Sequence, residues 1–189
     1  MQSKEQVTIV YIDFTKTFDL VSHQKLFANL HSYGVRCNVL LWLQNFLSCR
    51  TLQTKIDTSL FEIADIISGV VQGSCIGPLM FLVYINELVS VLVQHNIKVK
   101  LFADDVKMSV RSVDDLDVRS LQLALDALVQ WFDAWQLPIS INKCCVLNIG
   151  KVTYNTDAHI NGCTLPVVTV ATGRFLFCLY REKYLHISF

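Results

Sequence analysis

The sequence predicts an α+β domain in which short strands and amphipathic helices alternate, and three observations carry that expectation. The 189 residues are 52% hydrophobic and 17% charged, enough apolar material for one buried core and the reverse of a disordered composition. Strand-like runs at 7–12, 98–102, 107–110 and 139–149 are interleaved with stretches of helical periodicity. No repeat, low-complexity tract or Gly/Ser linker divides the chain, whose three prolines are Pro78, Pro138 and Pro166.

Residues 7–12 form a short β-branched run that ends at Asp13, which suits a buried strand whose end presents a carboxylate. Ser22 is placed to cap a helix through Leu26, Leu30 and Tyr33, with Gly34 stopping it. A second helix is expected over 38–47, with Leu40, Leu41, Leu43, Phe46 and Leu47 as its apolar side. From 52 to 66 apolar and polar residues alternate around Asp57-Thr58-Ser59, the pattern of a β-hairpin. A small-residue loop at 68–74 leads to a strongly apolar helix from Leu79, with Pro78 in its first turn. Strands at 98–102 and 107–110 flank an acidic tip at 103–106. A long helix over 114–135, with Leu121, Leu125, Leu128 and Phe132 in register, ends near Pro138, and strand alternation returns over 139–149.

Sixteen basic and sixteen acidic residues cancel, so no basic field marks a nucleic-acid or membrane partner, and any such partner must be argued from a site. The seven cysteines include the adjacent Cys144 and Cys145 and no CxxC pair; they read as reduced, mostly buried thiols of an intracellular protein. The five histidines show no zinc spacing with them. Lys4 and Glu5 precede only a short apolar run, without the apolar core of a signal peptide, and the stretch 79–93 is interrupted by Asn86 and Glu87. A cytoplasmic or nuclear address and no membrane partner are expected.

Chemistry is sought first at Asp104 and Asp105, two adjacent carboxylates framed by Leu101, Phe102, Ala103 and Val106. Such a pair is expensive to desolvate unless a cation neutralises it. If the strand ending at Asp13 lies beside them, three carboxylates from two segments supply the oxygen-rich setting that Mg²⁺ takes. Two such ions clamp the attacking and leaving oxygens of an in-line phosphoryl displacement. An Asp-Asp pair taken alone is more often a solvated turn; the apolar framing it shares with Asp13 favours a site, and composition and spacing do not separate a polymerase from a cyclase. Gly69, Gly73 and Gly77 with Gln72 form either a close-approach loop for a nucleotide or a plain strand-to-helix turn. Lys98, Lys100 and Lys107 read as partners of carboxylates or phosphate, or as a solvated face. Trp131 and Trp135, four apart, read as helix packing rather than base stacking.

Three ordered segments resemble reverse transcriptases of non-LTR, LINE-type, jockey-like retrotransposons. The run YIDFTKTFDLVSHQKL at 11–26 resembles motif A, SGVVQGSCIGPLMF at 68–81 with YIN at 84–86 resembles motif B, and LFADDVK at 101–107 resembles motif C. The region 128–149, with Asn142, Lys143 and Cys144, is similar to the segment that follows. The motif at 68–81 argues against a cyclase.

The resemblance implies a polymerase palm over 1–150, an antiparallel sheet backed by helices with the start of a thumb-like region, and a partial or diverged tail over 151–189. It implies Asp13, Asp104 and Asp105 as catalytic and metal-binding residues, with the backbone carbonyl of Phe14 as a further ligand and two Mg²⁺ ions (or Mn²⁺) as cofactor. Phe18 would be the aromatic gate against a ribose 2′-hydroxyl; Gln72 and Gly73 would lie along the nucleotide and template, and Lys143 near the triphosphate. The implied activity is RNA-directed DNA polymerisation, with an RNA template, a DNA primer and dNTPs as partners. The family usually has Pro where Val71 stands, and its fingers and endonuclease parts have no counterpart in this sequence. The resemblance stops near Thr172. The alternative is a catalytically silent retrotransposon remnant serving as an RNA- or protein-interaction module.

Overall fold

The computed structural model describes residues 6–112, 114–152 and 156–169. In chain order the elements are β1 (Gln6–Ile12), α1 (His23–Ser32), α2 (Cys37–Leu47), β2 (Arg50–Leu52), β3 (Lys55–Ile56), β4 (Ser59–Leu60) and β5 (Ala64–Ile66). There follow α3 (Gly77–Ile85), α4 (Glu87–Val93), β6 (Lys98–Phe102), β7 (Asp105–Ser112), α5 (Asp115–Trp135), a 3₁₀ turn (Ile141–Lys143), β8 (Cys145–Ile149), β9 (His159–Ile160), β10 (Cys163–Thr164) and β11 (Val167–Val168). They fall into two compact units. Of the described residues, those up to 15, those in 88–133 and those from 138 on make one, and 16–87 with 134–137 make the other.

The first unit is built on a five-stranded sheet in the order β11-β8-β1-β7-β6. All its pairings are antiparallel except that of β11 on β8. β1 sits in the middle because its run QVTIVYI is apolar at successive positions, so it can be buried on both faces. Directly paired residues share a face. Val10 and Ile12 therefore lie with Met108 and Val106 on one side, all buried. Ile9, Tyr11, Cys145 and Leu147 cluster on the other, joined by Val7 and Val168. α5 buries Leu121, Ala124, Leu125, Leu128, Trp131 and Phe132, spacings of three and four that make one apolar stripe. Its start is capped reciprocally: the Asp117 N–H donates to Asp114 Oδ1 at 2.9 Å and the Asp114 N–H to Asp117 Oδ2 at 3.4 Å. Near its end, the Phe132 ring meets Phe14 edge-on at 4.6 Å.

In the second unit α1 packs on α2 and α3. Tyr84, fully buried on α3, donates to the Trp135 carbonyl at 2.6 Å, and its oxygen lies 3.4 Å from the Ser22 N–H. The 52–66 hairpin forms, with β3 on β4 across an Asp57-Thr58 turn and β2 on β5 at its base.

Several local expectations are corrected. Ser22 stands at the N-cap of α1 but its side chain caps nothing; the His23 side chain ties that turn to another loop, described below. Leu41 is exposed, because only Leu43 and Leu47 of α2 reach the interior. The apolar stretch from Leu79 is two helices, parted at Asn86. The strand expected over 139–149 begins only at Cys145: Ile139 makes a single bridge with Phe14, and the 3₁₀ turn intervenes. The acidic tip is tighter than a four-residue loop, because Phe102 pairs with Asp105 and only Ala103 and Asp104 turn, with Ala103 at φ 51°. Of the cysteines, Cys144 and Cys145 are buried, but Cys37, Cys49, Cys75 and Cys163 are exposed. Cys37 and Cys49 bracket α2 in left-handed conformations (φ 52° and 53°), at helix ends that the interior does not reach. All six are free, and Cys178 lies outside the described residues, as does the tail from residue 170. Among the described residues no helix is long and apolar enough to cross a membrane.

Phe132 joins α5 to the end of β1, so truncating it opens a cavity there. Phe132→Ala is expected to lower stability by about 3–5 kcal/mol, read as a shift in urea midpoint at unchanged m-value.

Candidate nucleotidyl-transfer site

Asp13 follows the last residue of β1 and is 5% exposed. Its backbone is held from one side by residues 138–140: the Ser140 N–H donates to the Asp13 carbonyl at 2.9 Å, and the Thr15 N–H to the Pro138 carbonyl at 3.0 Å. From the other side it is held by the ladder to β7. The last β1–β7 pair is Ile12 with Val106, so one step further Asp13 stands abreast of Asp105. Asp104 is the next residue, in the two-residue turn. The fold thus brings all three aspartates to one end of one sheet, from two segments just over ninety residues apart in sequence.

A carboxylate this buried requires a counter-charge. Lys143, in the 3₁₀ turn ahead of β8, supplies one: its Nζ lies 3.4 Å from Asp13 Oδ1. Lys143 therefore lies at Asp13. Phe14 turns its ring into the interior, buried against Phe132. Cys144 is buried beneath the same turn, its Sγ 3.3 Å from the Ser140 carbonyl. Burial, with the Asp13 charge adding to it, pushes its thiol up to about 11 although the Asp13 backbone contact pulls the other way. Lys107 does not face solvent: it is buried, with Nζ 5.9 Å from the centre of the Tyr11 ring. Lys98 and Lys100 are exposed.

The donor set at this end is all carboxylate oxygen, the set that Mg²⁺ or Mn²⁺ takes, and the Asp13–Lys143 pair shows that the position holds a charge calling for a cation. As the side chains stand, no three His, Cys, Asp or Glu groups among the described residues form a ready metal cage. Asp105 is committed to the β7 ladder and Asp13 leans on Lys143. Residues and chemistry fit the ion; binding it requires the carboxylates to converge.

Phe18, Gln72 and Gly73 belong to the other unit. There the loop after β5 is laced to the segment before α1. The Gly69 N–H donates to the Val21 carbonyl and the Val70 N–H to the Phe18 carbonyl, both at 2.8 Å. Ser68 Oγ donates to the Asp19 carbonyl at 2.9 Å and Gln72 Nε2 to Asp19 Oδ1 at 2.7 Å. His23 Nε2 lies 2.7 Å from the Gly69 carbonyl; since a carbonyl only accepts, this nitrogen carries the proton. Gly69 has φ +85°, and a Cβ there would stand 2.7 Å from the Asp19 oxygen, so only glycine fits. Phe18 is half-buried, its ring 4.7 Å from that of Phe81 on α3. Gly73 is exposed at φ +81° with open space around it. Asp19 and Ser68 were not singled out by sequence reasoning; both lie inside the motif-like runs, but no spacing links a side chain at 19 to a loop fifty residues on.

This sheet, with helices and an acidic turn at one end, is the α+β palm of a polymerase. A family model for reverse transcriptase (RNA-dependent DNA polymerase) matches residues 1–175. The chain belongs to that family, and its relatives are of the non-LTR retrotransposon kind. It is 29% identical over 159 residues to the RNA-directed DNA polymerase from mobile element jockey of Drosophila melanogaster, covering 81% of this chain and 17% of that protein. It is 26% identical over 193 residues to the jockey protein of Drosophila funebris, covering 99% and 20%. To the probable RNA-directed DNA polymerase from transposon BS of Drosophila melanogaster it is 28% identical over 161 residues, covering 76% and 17%. The chain thus spans a fifth or less of the length of these curated relatives. Among solved structures it is similar to telomerase from Candida albicans (TM-score 0.59, 12% identity, 84% of this chain and 29% of that one) and from Candida tropicalis (0.61, 9%, 86% and 29%). These likenesses concern the fold.

Two outcomes follow from the geometry. Gly69→Ala is expected to destabilise the chain by about 1–3 kcal/mol, read by thermal melting. With its thiol near 11, Cys144 is about one part in a thousand thiolate at pH 8. Alkylation mapped by mass spectrometry is expected at Cys37, Cys49, Cys75 and Cys163 long before Cys144, whose ionisation rises only toward pH 11.

Proposed function

We propose that this chain is the palm of an RNA-directed DNA polymerase, adding deoxynucleotides to a primer 3′ end. The observation that carries the reading is the β1–β7 register, which sets the buried Asp13 abreast of Asp105 and next to Asp104 in a chain of the reverse transcriptase family.

Asp13, Asp104 and Asp105 would bind two divalent cations, Mg²⁺ or Mn²⁺, with the Phe14 carbonyl as a further ligand. Such ions, when bound, supply positive charge to the attacking hydroxyl and the leaving pyrophosphate. The chain's own contribution is positional. The β1–β7 ladder, which runs up to Ile12, and residues 138–140 fix the backbone at Asp13, so that only side chains must move for the carboxylates to converge. Lys143 compensates the Asp13 charge and, released from it, would meet the triphosphate. Phe18, braced by Phe81, would exclude a ribose 2′-hydroxyl, and Gln72 and Gly73 would contact the nucleotide and template.

The test is primer extension on a primed RNA template with Mg²⁺ and dNTPs. Wild type is expected to extend, and Asp104→Asn to lose activity about a thousandfold or more, the order of charge stabilisation that metal-assisted phosphoryl transfer draws on. Absence of extension by folded wild type, with no rise in melting temperature on adding Mg²⁺, would leave the silent-remnant reading.

A further inference from the structure

We propose that Asp19 is a positioning residue: its carboxylate fixes the direction in which the Gln72 amide points, and its main chain fixes the loop that carries Gln72. The inference rests on the reading of Gln72 as a nucleotide contact.

The 2.7 Å separation of Gln72 Nε2 and Asp19 Oδ1 is short for an N–H···O bond, as expected where the acceptor is charged. A carboxylate accepts and does not donate, so the amide must present its NH₂ to Asp19 and its carbonyl oxygen elsewhere. That removes the two-fold ambiguity of a glutamine side chain. It leaves Oε1 as an acceptor for a ligand hydroxyl or N–H. Without the bond, an exposed glutamine samples many rotamers and both amide orientations.

The rest of the environment makes Asp19 a fixed post. Its N–H donates to the Lys16 carbonyl at 3.0 Å, and its own carbonyl accepts from Ser68 Oγ at 2.9 Å. Gly69 packs so closely on the Asp19 backbone that no Cβ fits between them. His23, on the first turn of α1, holds the Gly69 carbonyl from the other side. Both Asp19 and Gln72 are exposed, and an exposed pair contributes little to stability. The arrangement therefore serves direction more than folding, and the two roles separate experimentally.

The experiment uses the full chain with ¹⁵N-labelled glutamine, in wild type, Asp19→Ala and Asp19→Asn, the Gln72 side-chain signal being assigned through Gln72→Asn. In wild type the Gln72 amide protons are expected away from the positions of free glutamine and slow to exchange. Asp19→Ala is expected to return them to the free positions, and Asp19→Asn, a neutral side chain that can either accept or donate, to retain part of the shift. In primer extension Asp19→Ala is expected to raise KM for dNTP roughly tenfold, the loss of one charge-assisted bond, with a smaller change in kcat and little change in melting temperature. Asp19→Asn is expected to recover only part of that loss, because a neutral amide can donate as well as accept and so fixes the direction of the Gln72 amide less firmly. A Gln72 signal indifferent to Asp19→Ala overturns the proposal, as does a loss of kcat and KM in step with a fallen melting temperature, which would make Asp19 merely structural. If wild type extends no primer, the polymerase reading falls on its own, and the Gln72 amide signal still decides whether Asp19 directs that side chain.

Discussion

Ile12 pairs with Val106, and everything at the acidic end of the sheet depends on that register. Side chains in a ladder alternate with period two, so a slip of one residue would carry Asp13 to the opposite face from Asp105. The slip is resisted because both faces of β1 are committed. Val10 and Ile12 are buried on one side, Ile9 and Tyr11 on the other, and no shifted pairing keeps both sets covered. Core packing thereby fixes the register that sets Asp13 abreast of Asp105.

Burying Asp13 is unfavourable in isolation, and the chain offsets it locally. Lys143 approaches from the turn that precedes β8, while the Ser140 N–H satisfies the Asp13 carbonyl. The 3₁₀ turn and its short approach from Pro138 are thus part of the same arrangement as the strand. A lysine is an exchangeable counter-charge: its four-carbon stem lets it leave when a stronger cation or a polyphosphate arrives. The second unit follows a different logic, with a glycine-bearing loop laced by backbone and side-chain bonds to the segment ahead of α1.

Much of this was legible in the sequence where a physical pattern has a single solution. The doubly apolar β1, the stripe of α5, the 52–66 hairpin and the carboxylate at the end of β1 all follow from period and turn chemistry. That Asp13 lies at the same end of the sheet as Asp104 and Asp105 was legible only through the motif-like runs, since spacing carries no information on which strands become neighbours. The break at 141–143 was hidden because INKCC alternates well enough for a strand, and only the Lys143–Asp13 pair gives it a reason. The exposed cysteines were misjudged because average burial says nothing of residues that sit at helix ends and hairpin turns. The Asp19–Gln72 bond had no sequence signal, being a contact between two exposed polar groups.

On the proposed function, the end of the sheet carrying Asp13, Asp104 and Asp105 binds a divalent cation. The most direct test of that reading is paramagnetic: Mn²⁺ titrated into the ¹⁵N-labelled chain, with amide signals followed by NMR. Signals of residues 13, 104, 105 and 143 are expected to broaden first, and Asp13→Asn to abolish the effect. Broadening that begins elsewhere, or that survives Asp13→Asn unchanged, would contradict it.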